Sequence, residues 1–313
     1  MSPKDRANSE PRSVATRNVV KGDAQRIKKT AQDNTYYIAI INNMESVNKA
    51  ISAIKYYLSA KNKYQIHSPF IVDFYNNVIE DDRHYYAFDE VETLRKKIEA
   101  SDMELETKTY GQPSKVKRVN RISKMVKKVS APPWKGKFLF RLSKWYQPKY
   151  IVELGTNLGI GSLYLHLGKA SAPMFTIEGN PNLVKLSRQH FKALNVHKIE
   201  IIEGLFADRL NEVLSKVDNK ALIYVDGHHD GSALISYTNE IHSHCKEYEQ
   251  YCLCLDDINW SDSMRKAWAT LKEDKRWQFS VDLYHSGLLF YNTNQRKNPP
   301  VSLIKTGFKP VLY

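Results

Sequence analysis

The feature that most constrains the fold is a regular alternation of short apolar runs and helical segments after Pro148. Apolar runs separated by helices are typical of strands buried between two layers of helices, so the pattern predicts an α/β fold with a parallel sheet. The predicted strands are Tyr150 to Leu154, Met174 to Glu178, Lys198 to Glu203, Ala221 to Val225, Tyr251 to Leu255, Trp277 to Leu283 and Leu288 to Tyr291.

The last two of these strands are joined only by a turn at His285, Ser286 and Gly287. Parallel neighbours need a crossover of a dozen or more residues, whereas a short turn joins antiparallel strands. We therefore predict a doubly wound, seven-stranded, mostly parallel sheet that ends in an antiparallel hairpin.

The residues before the sheet divide into two parts. Residues 1–34 hold few apolar positions and cannot bury enough surface to offset their ordering entropy, so they are predicted to be a disordered tail. Residues 35–131 carry helical patterns and are predicted to form a helical N-terminal region, in which a basic helix comes last. Residues 132–298 hold the predicted sheet, and residues 299–313 are a predicted C-terminal extension.

The net charge of +13 comes from the first half of the chain. Residues 150–313 contain 18 basic and 18 acidic residues, whereas residues 107–149 contain 13 basic residues and no acid. A helix that starts at Ser114 is predicted there. Its apolar face would consist of Val119, Ile122, Val126 and Val129. The cations either form a solvated face or bind a nucleic acid, an anionic surface or an acidic substrate.

Two further features bear on the compartment. The chain has no run of 18 apolar residues, so the sequence predicts no transmembrane segment. The three cysteines, Cys245, Cys252 and Cys254, form neither a zinc spacing nor an even disulfide framework. A reducing compartment, and by default the cytoplasm, is expected.

The stretch from Ile151 to Ser162 runs from a predicted strand through a glycine-bearing turn into a helix. Glycine lets a ligand approach the backbone closely, and the helix N-terminus offers free N–H groups. Gly155 and Gly159 are four residues apart, which is not the G-x-G-x-x-G spacing of dinucleotide-binding proteins and disfavours hydride transfer. The alternative is a purely structural turn.

Glu178 ends the next predicted strand. A carboxylate at such a strand end can accept two hydrogen bonds from a ribose diol, although it can also be simply solvated. Because one helix separates Glu178 from the glycine turn, a nucleoside ligand is the favoured interpretation.

Five motifs, in their order and spacing, resemble those of the class I S-adenosylmethionine (SAM)-dependent methyltransferases over about residues 134–295. They are the glycine turn from Glu153 to Gly159, Glu178, Ile202 to Phe206, Val225 to His229 and Leu255 to Trp260. The resemblance implies a Rossmann-like methyltransferase domain with SAM as cofactor. The cofactor-binding residues that it implies are Glu153, Gly155, Thr156, Gly159, Glu178, Gly204, Leu205 and Phe206.

Within that class the chain is most similar to the small-molecule O-methyltransferases of the catechol and caffeoyl-CoA type. In that group an Asp after the fourth strand and an Asp-Asn pair after the fifth bind a divalent cation. The matching positions are Asp226, Asp256 and Asp257, the last replacing the group's Asn. A magnesium ion, which takes oxygen ligands, is therefore expected. The alternatives are that one acid is a base, or that these acids cap loops and bind no metal.

The general base of that group is a lysine three residues after the first metal ligand, and His229 stands at that position. Imidazole suits proton abstraction near pH 7. Asp226 and His229 are thus the implied catalytic residues, and the alternative is a polar loop that His229 forms with His228.

The sequence as a whole predicts a SAM-dependent methyltransferase that acts on a hydroxyl group of a small-molecule acceptor. Two alternatives stay open: methylation of RNA or another polyanion, and a catalytically silent, cofactor-binding interaction module. Related enzymes are often dimers, so a homodimer is also among the open alternatives, although no apolar stripe points to an interface.

Overall fold

A computed structural model describes residues 47–108, 117–291 and 296–309. The chain divides into two compact units, residues 1–51 and 52–313, and only the start of the first helix is described in the first unit. The predicted disordered tail, residues 1–34, lies outside the described residues, as does Ser114.

Helices and strands alternate as the sequence pattern predicts. The helices span 47–59 (α1), Pro69–Phe74 (α2), Tyr86–Glu99 (α3), Ile122–Val129 (α4), Pro133–Tyr146 (α5), Ile160–Gly168 (α6), Pro181–Ala193 (α7), Phe206–Leu214 (α8), Gly231–Cys245 (α9) and Asp262–Glu273 (α10). The strands span Glu104–Lys108 (β1), Lys117–Arg121 (β2), Tyr150–Leu154 (β3), Met174–Glu178 (β4), Ile199–Glu203 (β5), Ala221–Val225 (β6), Tyr251–Asp256 (β7), Phe279–Asp282 (β8), Ser286–Tyr291 (β9) and Val301–Ser302 (β10). A π-helical turn at Tyr75–Ile79 continues α2.

The main sheet has the strand order β10-β8-β9-β7-β6-β3-β4-β5. Strands β5, β4, β3, β6 and β7 are parallel, and β9 runs antiparallel to both β7 and β8. The prediction of a mostly parallel sheet with a terminal antiparallel hairpin is confirmed. The predicted C-terminal extension adds an eighth strand, β10, parallel to β8.

The central strands are buried on both faces. Ile151 and Leu222 belong to one hydrophobic core, and Val152 and Ile223, the next residue in each strand, belong to a second core on the opposite face. Side chains alternate between the faces of a sheet, so continuous apolar runs are needed when both faces are covered. No helix in the described ranges combines the length and apolarity that crossing a membrane requires.

The prediction of one basic helix starting at Ser114 is wrong in its first half. Residues Lys117–Arg121 form β2, which pairs antiparallel with β1, and the helix begins only at Ile122. Arg121 lies opposite Glu104, with 3.6 Å between Nε and Oε1. Pairing with β1 provides hydrogen-bond partners for the backbone of this segment, and the acidic residues of β1 offset its positive charge. The sequence of the basic segment alone does not reveal this partner strand. Val119, which the sequence pattern assigns to the apolar face of a helix, lies in β2 and is exposed.

The cations of the acid-free segment are divided between the interior and the surface. Arg141 donates hydrogen bonds of 2.9 Å to the carbonyl oxygens of Val78 and Asp81, and Lys135 is buried. Lys124 and Lys127, by contrast, are exposed on α4. The described part of this segment thus does not present all of its charge on one face.

Candidate functional site

The turn between β3 and α6 can be made only with glycine at two positions. Gly155 has a φ of +111°, and a Cβ atom there would lie 2.1 Å from the carbonyl oxygen of Asp226. Gly159, which precedes α6, has a φ of +77°, and a Cβ atom would lie 2.6 Å from the ring of Phe191. The turn therefore packs directly against the end of β6. Only glycine, which has no Cβ atom, allows this close approach.

A narrow cavity of about 10 Å³ lies between this turn and the segment before α5. Its lining includes Ser130, Thr156, Asn157 and Asp226. Among the described residues, Ser130 Oγ and Asn157 Oδ1 are buried and have no hydrogen-bond partner. Buried polar atoms are normally paired, so these two atoms are suited to a polar ligand. A ligand larger than a water molecule therefore requires the lining of this cavity to move.

Glu153 also lines this cavity and is 1% exposed. Its Oε2 accepts hydrogen bonds from the hydroxyl groups of Ser162 and Thr176, the second at 2.6 Å. Its Oε1 lies 3.6 Å from where a Cβ atom of Gly161 would be. Burial raises the pKa of the Glu153 carboxyl to about 7, which the two hydroxyl groups only partly oppose.

The raised pKa of Glu153 gives a testable dependence of stability on pH. The unfolded chain loses this proton at a lower pH than the folded chain, so the folded protein loses stability as the pH rises toward 7. Glu153→Gln removes this loss. We measure the free energy of unfolding of both proteins by urea titration. The value for Glu153→Gln minus the value for the unmodified protein is expected to be about 2 kcal/mol larger at pH 8 than at pH 5.5. Glu203→Gln, at an exposed strand end, serves as the control, and an equal rise in that variant would contradict the assignment.

A larger cavity of about 290 Å³ lies at the ends of β4 and β5. Glu178 and residues 204–207 line it, so the structure brings together Glu178, Gly204, Leu205 and Phe206. Glu178 Oε2 accepts the N–H of Asn157 at 2.9 Å, and its Oε1 accepts the N–H of Asn180 at 2.8 Å. These bonds fix the carboxylate against the glycine turn, and each oxygen keeps a further lone pair. Burial raises the pKa of Glu178, which the backbone N–H groups partly oppose.

Two residues of this cavity were not predicted. His228 and Tyr237 line it, and His228 Nδ1 lies 3.0 Å from the Tyr237 hydroxyl group. His228 adopts a φ of +55°, which turns the chain between the end of β6 and α9. The adjacent His229 has a different neighbour, Asp257, whose Oδ2 lies 3.9 Å from its Nε2.

The three predicted metal ligands meet at the ends of β6 and β7, together with two other side chains. The Tyr224 hydroxyl group donates to Asp256 Oδ2 at 2.7 Å and lies 3.1 Å from Asp226 Oδ2. The Lys135 ammonium lies 2.7 Å from Asp256 Oδ2 and 3.3 Å from Asp257 Oδ1. We call these residues, Asp226, Asp256, Asp257, Tyr224 and Lys135, the acidic cluster.

The charges of the acidic cluster shift the pKa values of its members in opposite directions. Burial, and next the charge of Asp256, hold the pKa of Asp226 well above its usual range. Burial alone would raise the pKa of Asp256, but Lys135 lowers it. Burial would likewise lower the pKa of Lys135, but Asp256 and Asp257 raise it. The ammonium and the Asp256 carboxylate therefore form a charged pair.

The expected magnesium site at Asp226, Asp256 and Asp257 is not supported. In the ranges that the structure describes, no three acidic, histidine or cysteine side chains are arranged to hold a metal ion. The donor chemistry suits magnesium, but an ammonium group already lies against two of the three carboxylates. The physical reason is that Lys135, on α5, reaches the strand ends that the resemblance assigned to a cation.

The predicted base His229 lies at the edge of the acidic cluster. Its Nε2 is 3.9 Å from Asp257 Oδ2, and its ring centroid is 5.7 Å from that of Trp260. Its side chain is partly exposed. The assignment of Asp226 and His229 as catalytic residues stays a prediction.

A cavity of about 390 Å³ adjoins the acidic cluster on the side of α5 and the turn between β8 and β9. Its aromatic lining includes Trp134, Phe138 and His285. The ring of His285 lies 4.6 Å from that of Trp134, and its Nδ1 is 2.9 Å from Ser286 Oγ. Ser286 Oγ in turn donates to Asp256 Oδ1 at 3.1 Å. Burial lowers the pKa of His285 to about 4, so its ring is neutral at pH 7.

No family model and no curated protein matches this chain. Among solved structures, an SAH-bound methyltransferase from Podospora anserina is 18% identical, over 72% of this chain and 97% of that one, with a TM-score of 0.48. An O-methyltransferase from Bacillus cereus in complex with SAH is 14% identical, over 71% and 96%, with a TM-score of 0.46. The O-methyltransferase TomG from Streptomyces achromogenes in complex with SAM is 15% identical, over 71% and 95%, with a TM-score of 0.47.

At these identities and TM-scores, the matches carry no argument about what this chain binds or does. The fold is established by the strand order of the main sheet. Strands β4 and β5 lie on one side of β3, β6 and β7 lie on the other side, and β9 pairs antiparallel with β7 and β8. The chain therefore has a Rossmann-like, doubly wound α/β fold.

Proposed function

We propose that this chain is a SAM-dependent methyltransferase that methylates a hydroxyl group of a small-molecule acceptor. The observation that carries the proposal is the position of Glu178 between two cavities. Its carboxylate lines the larger cavity and accepts the N–H of Asn157, which lines the narrow one. A single nucleoside ligand with its ribose at Glu178 would extend into both.

The residues of the two cavities fit the parts of SAM. Gly204, Leu205 and Phe206 offer an apolar wall for the adenine. The carboxylate of Glu153 suits the ammonium of the methionine portion, and Ser130 Oγ and Asn157 Oδ1 are buried polar atoms that lack partners among the described residues. When bound, SAM supplies a methyl group on a positively charged sulfur.

The transfer requires a nucleophilic oxygen aligned with that methyl group. His229 would accept the hydroxyl proton of the acceptor, whose oxygen would form the new C–O bond while the C–S bond of bound SAM would break with its electron pair going to sulfur. The products are a methyl ether, S-adenosylhomocysteine (SAH) and a proton on the imidazole. Asp257, 3.9 Å from His229, stabilises the imidazolium that forms.

The 390 Å³ cavity supports a small-molecule acceptor, because its size lies within the range of small-ligand sites. The aromatic rings of Trp134, Phe138 and His285 suit a planar, apolar body. Through Ser286, His285 connects this cavity to Asp256 and so places it beside the acidic cluster.

Calorimetric titration with SAM and SAH, followed by measurement of SAH release with pools of phenolic and aliphatic alcohols, tests the proposal. We expect dissociation constants between about 1 μM and 1 mM, in the range of ordinary enzyme substrates. Trp134→Ala is expected to raise the KM for an accepted alcohol at least about 10-fold without changing SAH affinity, because it removes a cavity wall. Tyr64→Ala, an exposed aromatic residue outside the cavity, is the control. Absence of SAM and SAH binding would refute the proposal.

A further inference from the structure

Lys135 is the only lysine that is buried in the part of the chain that the structure describes, with 9% of its surface exposed. Lysine is almost never fully buried unless it is paired. It lies in the first turn of α5, one residue after Trp134 of the aromatic cavity. The helix thus carries its ammonium group to the ends of β6 and β7, 121 positions along the chain from Asp256.

The hydrogen bonds of Asp256 are arranged around this ammonium group. Its Oδ2 accepts from both Lys135 and Tyr224 at 2.7 Å, and its Oδ1 accepts from Ser286 at 3.1 Å. Lys135 also lies 3.3 Å from Asp257 Oδ1. A divalent ion bound to Asp256 and Asp257 would have to compete with the Lys135 ammonium group for these carboxylate oxygens.

We infer that the Lys135 ammonium is the resident cation of the acidic cluster and takes the place that a divalent metal would otherwise occupy. Lys135 is thus a positioning residue, since it contacts Asp257, which lies 3.9 Å from the proposed base His229. It makes both cofactor binding and transfer independent of magnesium. The inference rests on the proposed function only for its activity measurement.

A purely structural ion pair is the alternative. Removing one partner of a buried pair leaves an uncompensated charge and is strongly destabilising, so a loss of stability is expected in either case. Only a resident cation predicts a second effect: without it, the three carboxylates of Asp226, Asp256 and Asp257 become able to bind a metal ion through oxygen ligands.

Titration of the full-length, EDTA-treated protein with Mn²⁺, followed by the EPR signal of the free ion, measures this effect without SAM or an acceptor. We expect the unmodified protein to bind Mn²⁺ no more tightly than about 1 mM, and Lys135→Met to bind it at least about 10-fold more tightly. Lys144→Met, at an exposed position of the same helix, should match the unmodified protein. Circular dichroism verifies folding, and Lys135→Gln, which keeps a hydrogen-bond donor, is used if the methionine variant does not fold.

The second measurement is SAH release in EDTA and in magnesium. The unmodified enzyme should turn over equally in both, and Lys135→Met should lose activity in EDTA and regain part of it with Mn²⁺. Micromolar Mn²⁺ binding by the unmodified protein, or no gain of Mn²⁺ affinity in a folded Lys135 variant, would overturn the inference. A gain of Mn²⁺ affinity in a protein that does not bind SAM would support the inference and refute the proposed function.

Discussion

Replacing Glu178 with alanine is expected to weaken the binding of SAH by about 100-fold. The proposed ribose site gives the carboxylate two charge-assisted hydrogen bonds to the diol, and the loss of about 3 kcal/mol that follows corresponds to that factor. SAM should be affected to the same degree, because the two ligands share the ribose. Calorimetric titration of the two proteins with each ligand measures the effect.

Glu203 provides a matched control for this substitution. It stands opposite Glu178 in the register of β4 and β5, also at the end of its strand, but is exposed. We expect Glu203→Ala to bind SAH as the unmodified protein does. Because Glu178 also holds the N–H groups of Asn157 and Asn180, the melting temperature of each variant is measured in parallel. SAH affinity retained in Glu178→Ala would contradict the ribose assignment.

Gly155→Ala is expected to lower the free energy of unfolding by about 3 kcal/mol or more. Alanine is strained at a φ of +111°, and its Cβ atom would lie 2.1 Å from the carbonyl oxygen of Asp226. Relief of this overlap requires the turn to move away from β6, which also disturbs the narrow cavity. Urea unfolding followed by circular dichroism measures the loss.

Gly161→Ala is the matched control, six residues along the same motif. This glycine lies within α6, and the nearest atom to an added Cβ, Glu153 Oε1, would be an ordinary 3.6 Å away. Alanine is favoured over glycine in a helix by about 1 kcal/mol, so unchanged or slightly increased stability is expected. If Gly155→Ala unfolds at the same urea concentration as Gly161→Ala, the steric account of the turn is wrong.

The sheet could be predicted from the sequence because its signals are local. Each buried strand is a continuous apolar run, and the short turn at His285 fixes the direction of its neighbours. The β1–β2 hairpin was missed because its strands contain few apolar residues, and only their pairing shows that they are strands. In α1 the apolar residues Ile54 and Leu58 are four positions apart, as on one helix face, yet both are exposed, since periodicity identifies a face but not what covers it.

In the candidate site, too, features with a local sequence signal could be predicted, whereas contacts between distant segments could not. The glycine turn and Glu178 lie at strand ends, where residue type and position along one element suffice to suggest a ligand. Lys135 was missed because its partners are far away in the sequence and belong to other elements. The magnesium site was expected from residue identities alone, which do not show that a lysine side chain reaches the same carboxylates.

Strand β10 bears on how this chain can fold during synthesis. The N–H of Lys61 donates to the carbonyl oxygen of Ser302 at 2.8 Å, and the Asn62 side chain donates to the carbonyl oxygen of Lys309, 247 positions later. Contacts of such high contact order carry a large loop-closure cost and form slowly. On the ribosome, the outer edge of β8 therefore stays open until residues 301–309 have emerged, and the segment after α1 acquires its final partners only then.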